Sequence, residues 1–217
     1  MRDTVIRSIE ARKLIAILRG IPADRLIPTA EALYRGGIRL LEVTYSADGS
    51  VPDADTANAI STLVRHFQGR MHIGAGTVLT PAQVRLAGAA GGTFIISPDT
   101  NPEVIAETRH LGLVSIPGAL TPTEIMTAHR AGADFVKLFP ISALGAAYVK
   151  AIRAPLSHVR LLAVGGIDES NMADYLSAGV CGFGLGSNLA DKKLALAGDF
   201  DALTARAEKY IGVIAHG

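Results

Sequence analysis

The 217-residue chain has little of several things, and each scarcity removes a class of protein. It carries one cysteine, Cys181, so no disulfide framework forms within it. It has no excess of charge: 21 Lys and Arg stand against 20 Asp and Glu, a formal net charge of +1. A nucleic-acid partner calls for clustered Lys and Arg to meet phosphates, and a membrane-surface anchor for a polybasic run. Neither pattern is present, so no nucleic-acid and no membrane partner is expected. No stretch approaches the roughly 20 apolar residues of a membrane span. The first segment, MRDTVIRSIEARK, carries acids and lacks an apolar run of signal-peptide length, so a cytoplasmic location is expected rather than secretion.

What is present is a hydrophobic fraction of 49%, enough for a large core, together with 23 glycines and 10 prolines, many for a helix bundle. Short apolar runs recur: LIAIL (14–18), IRLLEVT (38–44), MHIGA (71–75), TFIIS (93–97), LVSI (113–116), DFVKL (134–138), VRLLAV (159–164) and CGFGL (181–185). Between them, segments such as DRLIPTAEALYRGG and TPTEIMTAHRAGA repeat apolar residues at three- and four-residue steps, the helical period. Thr80-Pro81-Ala82-Gln83 and Thr121-Pro122-Thr123-Glu124 both read as capping boxes with proline at the first helical position. Asn101-Pro102 is a further cap, and Gly36-Gly37, Gly112, Gly132 and Gly179 read as helix ends. Pro28 is expected in the first turn of a helix capped by Asp24.

Strands alternating with helices predict βαβ units and a parallel sheet. Eight units of about 27 residues fit a minimal (β/α)8 barrel, a TIM barrel of the α/β class. The rival, an open doubly wound sheet, usually shows G-x-G-x-x-G after its first strand, whereas GAGTVL (74–79) follows the third and has two of the three glycines. With no linker or charge run, residues 1–217 read as a single barrel domain, and residues 1–13 as an extra helix over its bottom.

In such a barrel alternate strand residues point inward and chemistry collects at the carboxyl ends of the strands. Lys137, in DFVKLFP, shares its face with Phe135 and Phe139. Desolvation inside a barrel mouth lowers a lysine pKa, and a neutral amine attacks carbonyls to form a Schiff base. The alternative is a strand-end lysine that reaches water or pairs with an acid. Glu42, in LLEVT, shares a face with Leu40 and Thr44 and is a candidate general acid/base, or else an ion-pair partner of Lys137 or Arg19. Arg19 ends the first strand, where a guanidinium suits a carboxylate or phosphate. Gly165-Gly166 follow the seventh strand, and Gly186 and Ser187 the eighth, the two places where these barrels hold phosphate. Thr77 and Pro98 end the third and fourth strands. The histidines (His66, His72, His110, His129, His158, His216) lack the close spacing of metal ligands, and no metal or other cofactor is expected.

ILRG, LEVT, IGAGTVLTP, FIISPDTNPEV, SIPGALTPTE, GADFVKLFP, AVGGI and GLGSNL occur in this order along almost the whole chain. The series resembles the class I 2-keto-3-deoxy-6-phosphogluconate (KDPG) aldolases, a group that includes the phosphogalactonate (KDPGal) and 4-hydroxy-2-oxoglutarate (KHG) aldolases. The resemblance implies a (β/α)8 barrel, a homotrimer, no metal, and a small phosphorylated keto acid as partner. Position by position it implies Lys137 as the Schiff-base lysine, Glu42 as general acid/base, and Arg19 and Thr77 on the pyruvyl carboxylate. Phe139 then flanks the imine, Pro98 lies at the pocket wall, and Gly165, Gly166, Gly186 and Ser187 hold phosphate. Two positions depart from the phosphogluconate pattern: Ser46 stands where an arginine is frequent, and Val164 where threonine is frequent. The AVGG form resembles the phosphogalactonate branch. Other readings of the same barrel are a KHG aldolase, an isomerase or thiamine-phosphate-synthase-like enzyme, and a non-catalytic sugar-phosphate-binding module.

Overall fold

The computed structural model describes residues 1–216; Gly217, part of the expected domain, and the side chain of His216 lie outside the described residues. Helix α1 (Arg2–Arg12) comes first, followed by β1 (Leu14–Leu18), α2 (Ala23–Arg35), β2 (Leu40–Thr44), α3 (Asp53–Phe67) and β3 (His72–Gly76). Next are α4 (Pro81–Ala89), β4 (Phe94–Ile96), α5 (Pro102–His110), β5 (Val114–Ile116) and β6 (Gly118–Ala119). Then follow α6 (Pro122–Arg130), β7 (Val136–Leu138), α7 (Gly145–Arg153), β8 (Leu161–Val164), α8 (Met172–Ser177), β9 (Gly182–Leu185), α9 (Lys192–Ala197) and α10 (Phe200–His216). All strand pairs are parallel, in the order β5-β4-β3-β2-β1-β9-β8-β7-β6. The fold is a TIM barrel.

The expected fifth strand, LVSI (113–116), forms as β5, and a second short segment, β6, follows it after Pro117. Pro117 has no N–H to give to a ladder and interrupts the run. Upstream, β5 pairs with β4; downstream, β6 pairs with β7, with Gly118 opposite Lys137. The barrel is closed across this interruption by Asp134 N–H to Ser115 carbonyl (3.0 Å) and Lys137 N–H to Pro117 carbonyl (2.9 Å).

The alternation of the strands divides the core in two. Outward residues such as Leu14, Ala16, Leu41, Ile73, Val136 and Leu138 pack beneath the helices. Inward residues Ile15, Leu40, Phe94, Val114, Phe135 and Leu162 fill the lower barrel together with Val5 and Ile9 of α1. Burying a side chain of this size contributes about 1.5–3 kcal/mol. Arg2 of α1 also pairs with buried Asp134 just ahead of β7, and Asp134 further accepts from Ser115 N–H (3.0 Å) and Arg109 (3.4 Å).

Two local expectations need correction. Helix α2 begins at Ala23 on an extended Pro22 cap, so Pro28 lies in its second turn; Asp24 is inside the helix and caps nothing. Asp24 thereby loses the hydrogen bond an N–H at position 28 would have made, a loss confined to one carbonyl near a helix end. The full capping box forms at Thr121–Glu124, but at Thr80–Gln83 only the Thr80 half does, because the Gln83 side chain goes elsewhere.

Candidate active site

Two charged side chains, Glu42 and Lys137, enter the inward rows above the lower core. Ile17, Glu42, Ile96, Ile116, Lys137, Leu162, Val164 and Gly184 surround one small cavity above the apolar plug. Register fixes their heights: Glu42 is level with Ile17 on β1 and Gly74 on β3, and Lys137 with Gly118 and Leu162. Lys137 and Glu42 thus face a common space, as their strand parity predicts.

Both are buried, Glu42 to 1% exposure and Lys137 to 8%. Burial raises the Glu42 pKa above the usual carboxylate value, against the opposing charges of Lys137 and Arg19. Burial likewise pulls Lys137 below the usual lysine value, opposed by Glu42 and reinforced by Arg19. Desolvation therefore favours the neutral form of each, and a proton carried by Glu42 rather than Lys137 leaves a free amine. Glu42 Oε2 is buried with no hydrogen-bond partner among the described residues. Such a group is costly to a fold. Lys137 Nζ lies 4.5 Å from the centroid of the Phe139 ring, which is 36% exposed at the rim.

Glycine makes the room. A Cβ at Gly76, at the inward end of β3, would occupy the position of Glu42 Oε1. This role was missed in sequence, although glycines at two same-face positions of one strand, Gly74 and Gly76, are a signal of close approach.

Above the pair, Arg19 reaches across the mouth to Thr77, with 3.4 Å between Nη2 and Oγ1. Thr77 has φ 55°, a left-handed conformation that costs a β-branched residue on the order of 1–3 kcal/mol. Pro98 follows β4 at the rim, half-buried. Val164, the last residue of β8, is buried beside Gly184. Gly165 (φ 95°) and Gly166 (φ 72°) turn the chain away directly after it, and Gly165 packs on Phe139. Gly186 opens the loop after β9, where Leu189 and Ala190 N–H groups both return to its carbonyl (2.9 and 2.8 Å), leaving Ser187 exposed. Asn188, which sequence reading passed over, donates from Nδ2 to the Ile167 carbonyl (2.9 Å) and ties the two glycine loops into one rim. Ser46 lines the cleft that Arg19 also borders and is hydrogen-bonded to Asp48 and Ser50. Cys181 is a partly buried thiol at the foot of β9, pushed up to about 11 by burial. Among the described residues, no group of three His, Cys, Asp or Glu side chains is placed to hold a metal ion, and no helix is long and apolar enough to cross a membrane.

A family model described as KDPG and KHG aldolase matches residues 5–206. A probable 2-dehydro-3-deoxy-6-phosphogalactonate aldolase of Rhizobium meliloti (strain 1021) is 41% identical over 179 residues, covering 82% of this chain and 82% of that protein. A 2-dehydro-3-deoxy-phosphogluconate aldolase of Treponema pallidum (strain Nichols) is 34% identical over 215 residues, 97% and 98% of the two chains. The crystal structure of a Legionella pneumophila KDPG aldolase, with pyruvate captured at low pH as a covalent carbinolamine intermediate, matches with a TM-score of 0.85 at 30% identity over 94% of this chain and 96% of that one. With the barrel and its buried lysine–glutamate pair, these similarities lead to one conclusion: the chain belongs to the KDPG and KHG aldolase family and is an aldolase, a lyase.

Proposed function

We propose that the enzyme cleaves a 2-keto-3-deoxy-6-phospho sugar acid of the phosphogalactonate type to pyruvate and D-glyceraldehyde 3-phosphate, through a Schiff base on Lys137. The observation that carries this reading is that buried Lys137 and Glu42 line one small cavity, with Glu42 Oε2 unpartnered among the described residues, below a rim of glycine loops. The Lys137 amine adds to the C2 ketone; protonated Glu42 gives its proton to the carbinol oxygen, which leaves as water, and an iminium stands opposite a Glu42 carboxylate. That carboxylate takes the C4 hydroxyl proton, the C3–C4 bond breaks, and its electrons flow to the iminium nitrogen. Glyceraldehyde 3-phosphate leaves. Glu42 returns the proton to C3 of the enamine, and water hydrolyses the resulting iminium, releasing pyruvate and the free amine while the proton returns to Glu42.

Arg19 and Thr77, 3.4 Å apart over the mouth, are assigned to the pyruvyl carboxylate. With serine at position 46, where an arginine is frequent, carboxylate binding falls more heavily on Arg19 and Thr77. The backbones of Gly165, Gly166 and Gly186 and the Ser187 hydroxyl are assigned to the phosphate, Phe139 and Pro98 to the pocket walls. Anchoring the distal phosphate fixes the reacting carbons and turns remote binding into orientation.

Val164 and the phosphogalactonate aldolase relative support the choice of C4 configuration. A valine cannot hydrogen-bond a hydroxyl that threonine would, so the pocket does not select the gluconate-type epimer by that contact. The test is coupled pyruvate release from the galactonate-derived, gluconate-derived and unphosphorylated 4-hydroxy-2-oxoglutarate substrates. The highest kcat/KM is expected for the first; a preference for either other substrate overturns the assignment. With this activity we propose a homotrimer in the cytoplasm, the former checked by light scattering as three times the 22.6 kDa chain mass.

A further inference from the structure

Thr77 holds a backbone conformation that threonine avoids, and such a conformation persists only where its surroundings over-determine it. Val78, next in the chain, donates its N–H to the Ile96 carbonyl (3.2 Å), and Gln83, on the first turn of α4, holds the residue after that. Its Oε1 accepts from the N–H of Leu79, two residues beyond Thr77, at 2.8 Å. Its Nε2 donates to Oδ1 of Asp53, the first residue of α3, at 3.1 Å. Its backbone N–H donates to Thr80 Oγ1 (3.3 Å), and its carbonyl accepts the Tyr45 hydroxyl (3.3 Å).

The chain contains its own control for this arrangement. Thr121–Glu124 has the same spacing and the same proline, and Glu124 is exposed, its Oε2 taking the N–H groups of Leu120 (2.9 Å) and Thr121 (2.8 Å). A cap of that kind needs only an acceptor. Gln83 is 8% exposed and has a second bond that needs a donor. A carboxylate at position 83 would face the Asp53 carboxylate at hydrogen-bond distance. An amide satisfies both ends at once, accepting from the loop and donating to α3.

We propose that Gln83 is a positioning residue: its amide braces the Thr77–Thr80 loop against Asp53 and so holds the Thr77 hydroxyl over the barrel mouth beside Arg19. It touches no reacting atom and acts through Thr77. The inference rests on the reading above in which Arg19 and Thr77 hold the substrate carboxylate.

The test measures the pyruvate concentration that half-saturates borohydride trapping, together with KM and kcat for cleavage. The proteins are the native enzyme, Thr77→Val, Gln83→Leu, the two combined, Gln83→Glu, and Gln83→Glu with Asp53→Asn. Gln83→Leu is expected to raise half-saturation and KM about tenfold with a smaller change in kcat. The combined variant is expected to be no weaker than Thr77→Val alone, because both changes remove one contact. Gln83→Glu should weaken binding, and adding Asp53→Asn should recover it, since an amide at position 53 then donates to a carboxylate at position 83. Half-saturation unmoved in folded Gln83→Leu, additive effects of Thr77→Val and Gln83→Leu, or no recovery by Asp53→Asn overturns the positioning role. Thr77→Val without effect on half-saturation overturns instead the carboxylate assignment beneath it. If Gln83→Leu does not fold, the comparison of Gln83→Glu with and without Asp53→Asn decides alone.

Discussion

Asp134 and Glu42 are carboxylates buried in the same barrel, one at the foot of its wall and one halfway up it. Asp134, at the foot of β7, receives three donors: Arg2 from α1, Arg109 from α5 and the Ser115 N–H. Glu42, halfway up β2, keeps Oε2 without a hydrogen bond and its Oε1 in a space that exists because residue 76 has no side chain. A buried charge that serves the fold is paired on every side, because anything less costs stability. A buried carboxyl whose Oε2 has no partner among the described residues, opposite a desolvated lysine, is what the proposed acid/base role calls for. The same division runs through the inward rows, which are Ile, Leu, Val and Phe against α1 and stay largely apolar around the cavity, where Glu42 and Lys137 are the charges, with Arg19 and Thr77 at the mouth above.

Mutations that exchange the two behaviours would break this contrast. Lys137→Met is expected to have the largest effect, removing pyruvate release altogether while circular dichroism stays that of the native fold. Glu42→Gln should leave trapping by pyruvate intact and slow cleavage by roughly 10²–10⁴-fold in single-turnover assays. Asp134→Asn should do the reverse, costing about 1–3 kcal/mol in denaturant unfolding with cleavage per folded molecule unchanged. A large activity loss in Asp134→Asn, at full stability, would erase the distinction.

The smallest expected effect sharpens it through pH. Burial raises the folded-state pKa of Glu42 above the ordinary 4.5. The stability tied to its proton is therefore fully present below that ordinary value and is lost as pH rises through the raised one. Glu42→Gln, which cannot ionise, should melt higher than the native protein at pH 8, and the gain should shrink toward pH 4.5, as calorimetry across that range would read. An unchanged difference over the range would mean that Glu42 is ionised in the fold as readily as in the unfolded chain.

Much of this barrel is legible in the strand runs. Alternation alone sends Leu40, Glu42 and Phe135, Lys137 inward, and a charge inside such a run is conspicuous against its neighbours. Gly165-Gly166 and Gly186-Ser187 are legible too, standing after two successive strand runs. What escapes is whatever depends on distant partners. Asp134 reads as an ordinary first strand residue until Arg2, 132 positions away, is seen against it. Gln83 and Glu124 have the same local pattern, and burial against Asp53 is what separates them. The end of the fifth strand at Pro117 follows from a missing N–H, but that the chain resumes pairing at Gly118 to close the barrel depends on β7. The left-handed turn at Thr77 contradicts the local preference of threonine, and only the packed loop imposes it.

The central claim is that the desolvated amine of Lys137 forms the covalent link to the keto acid. Borohydride reduction in the presence of pyruvate, followed by peptide mass spectrometry, tests it most directly. The expected result is one added pyruvyl group, reduced, on the peptide carrying Lys137, with matching loss of cleavage activity. An unmodified Lys137 in protein that keeps full activity after the same treatment would contradict it.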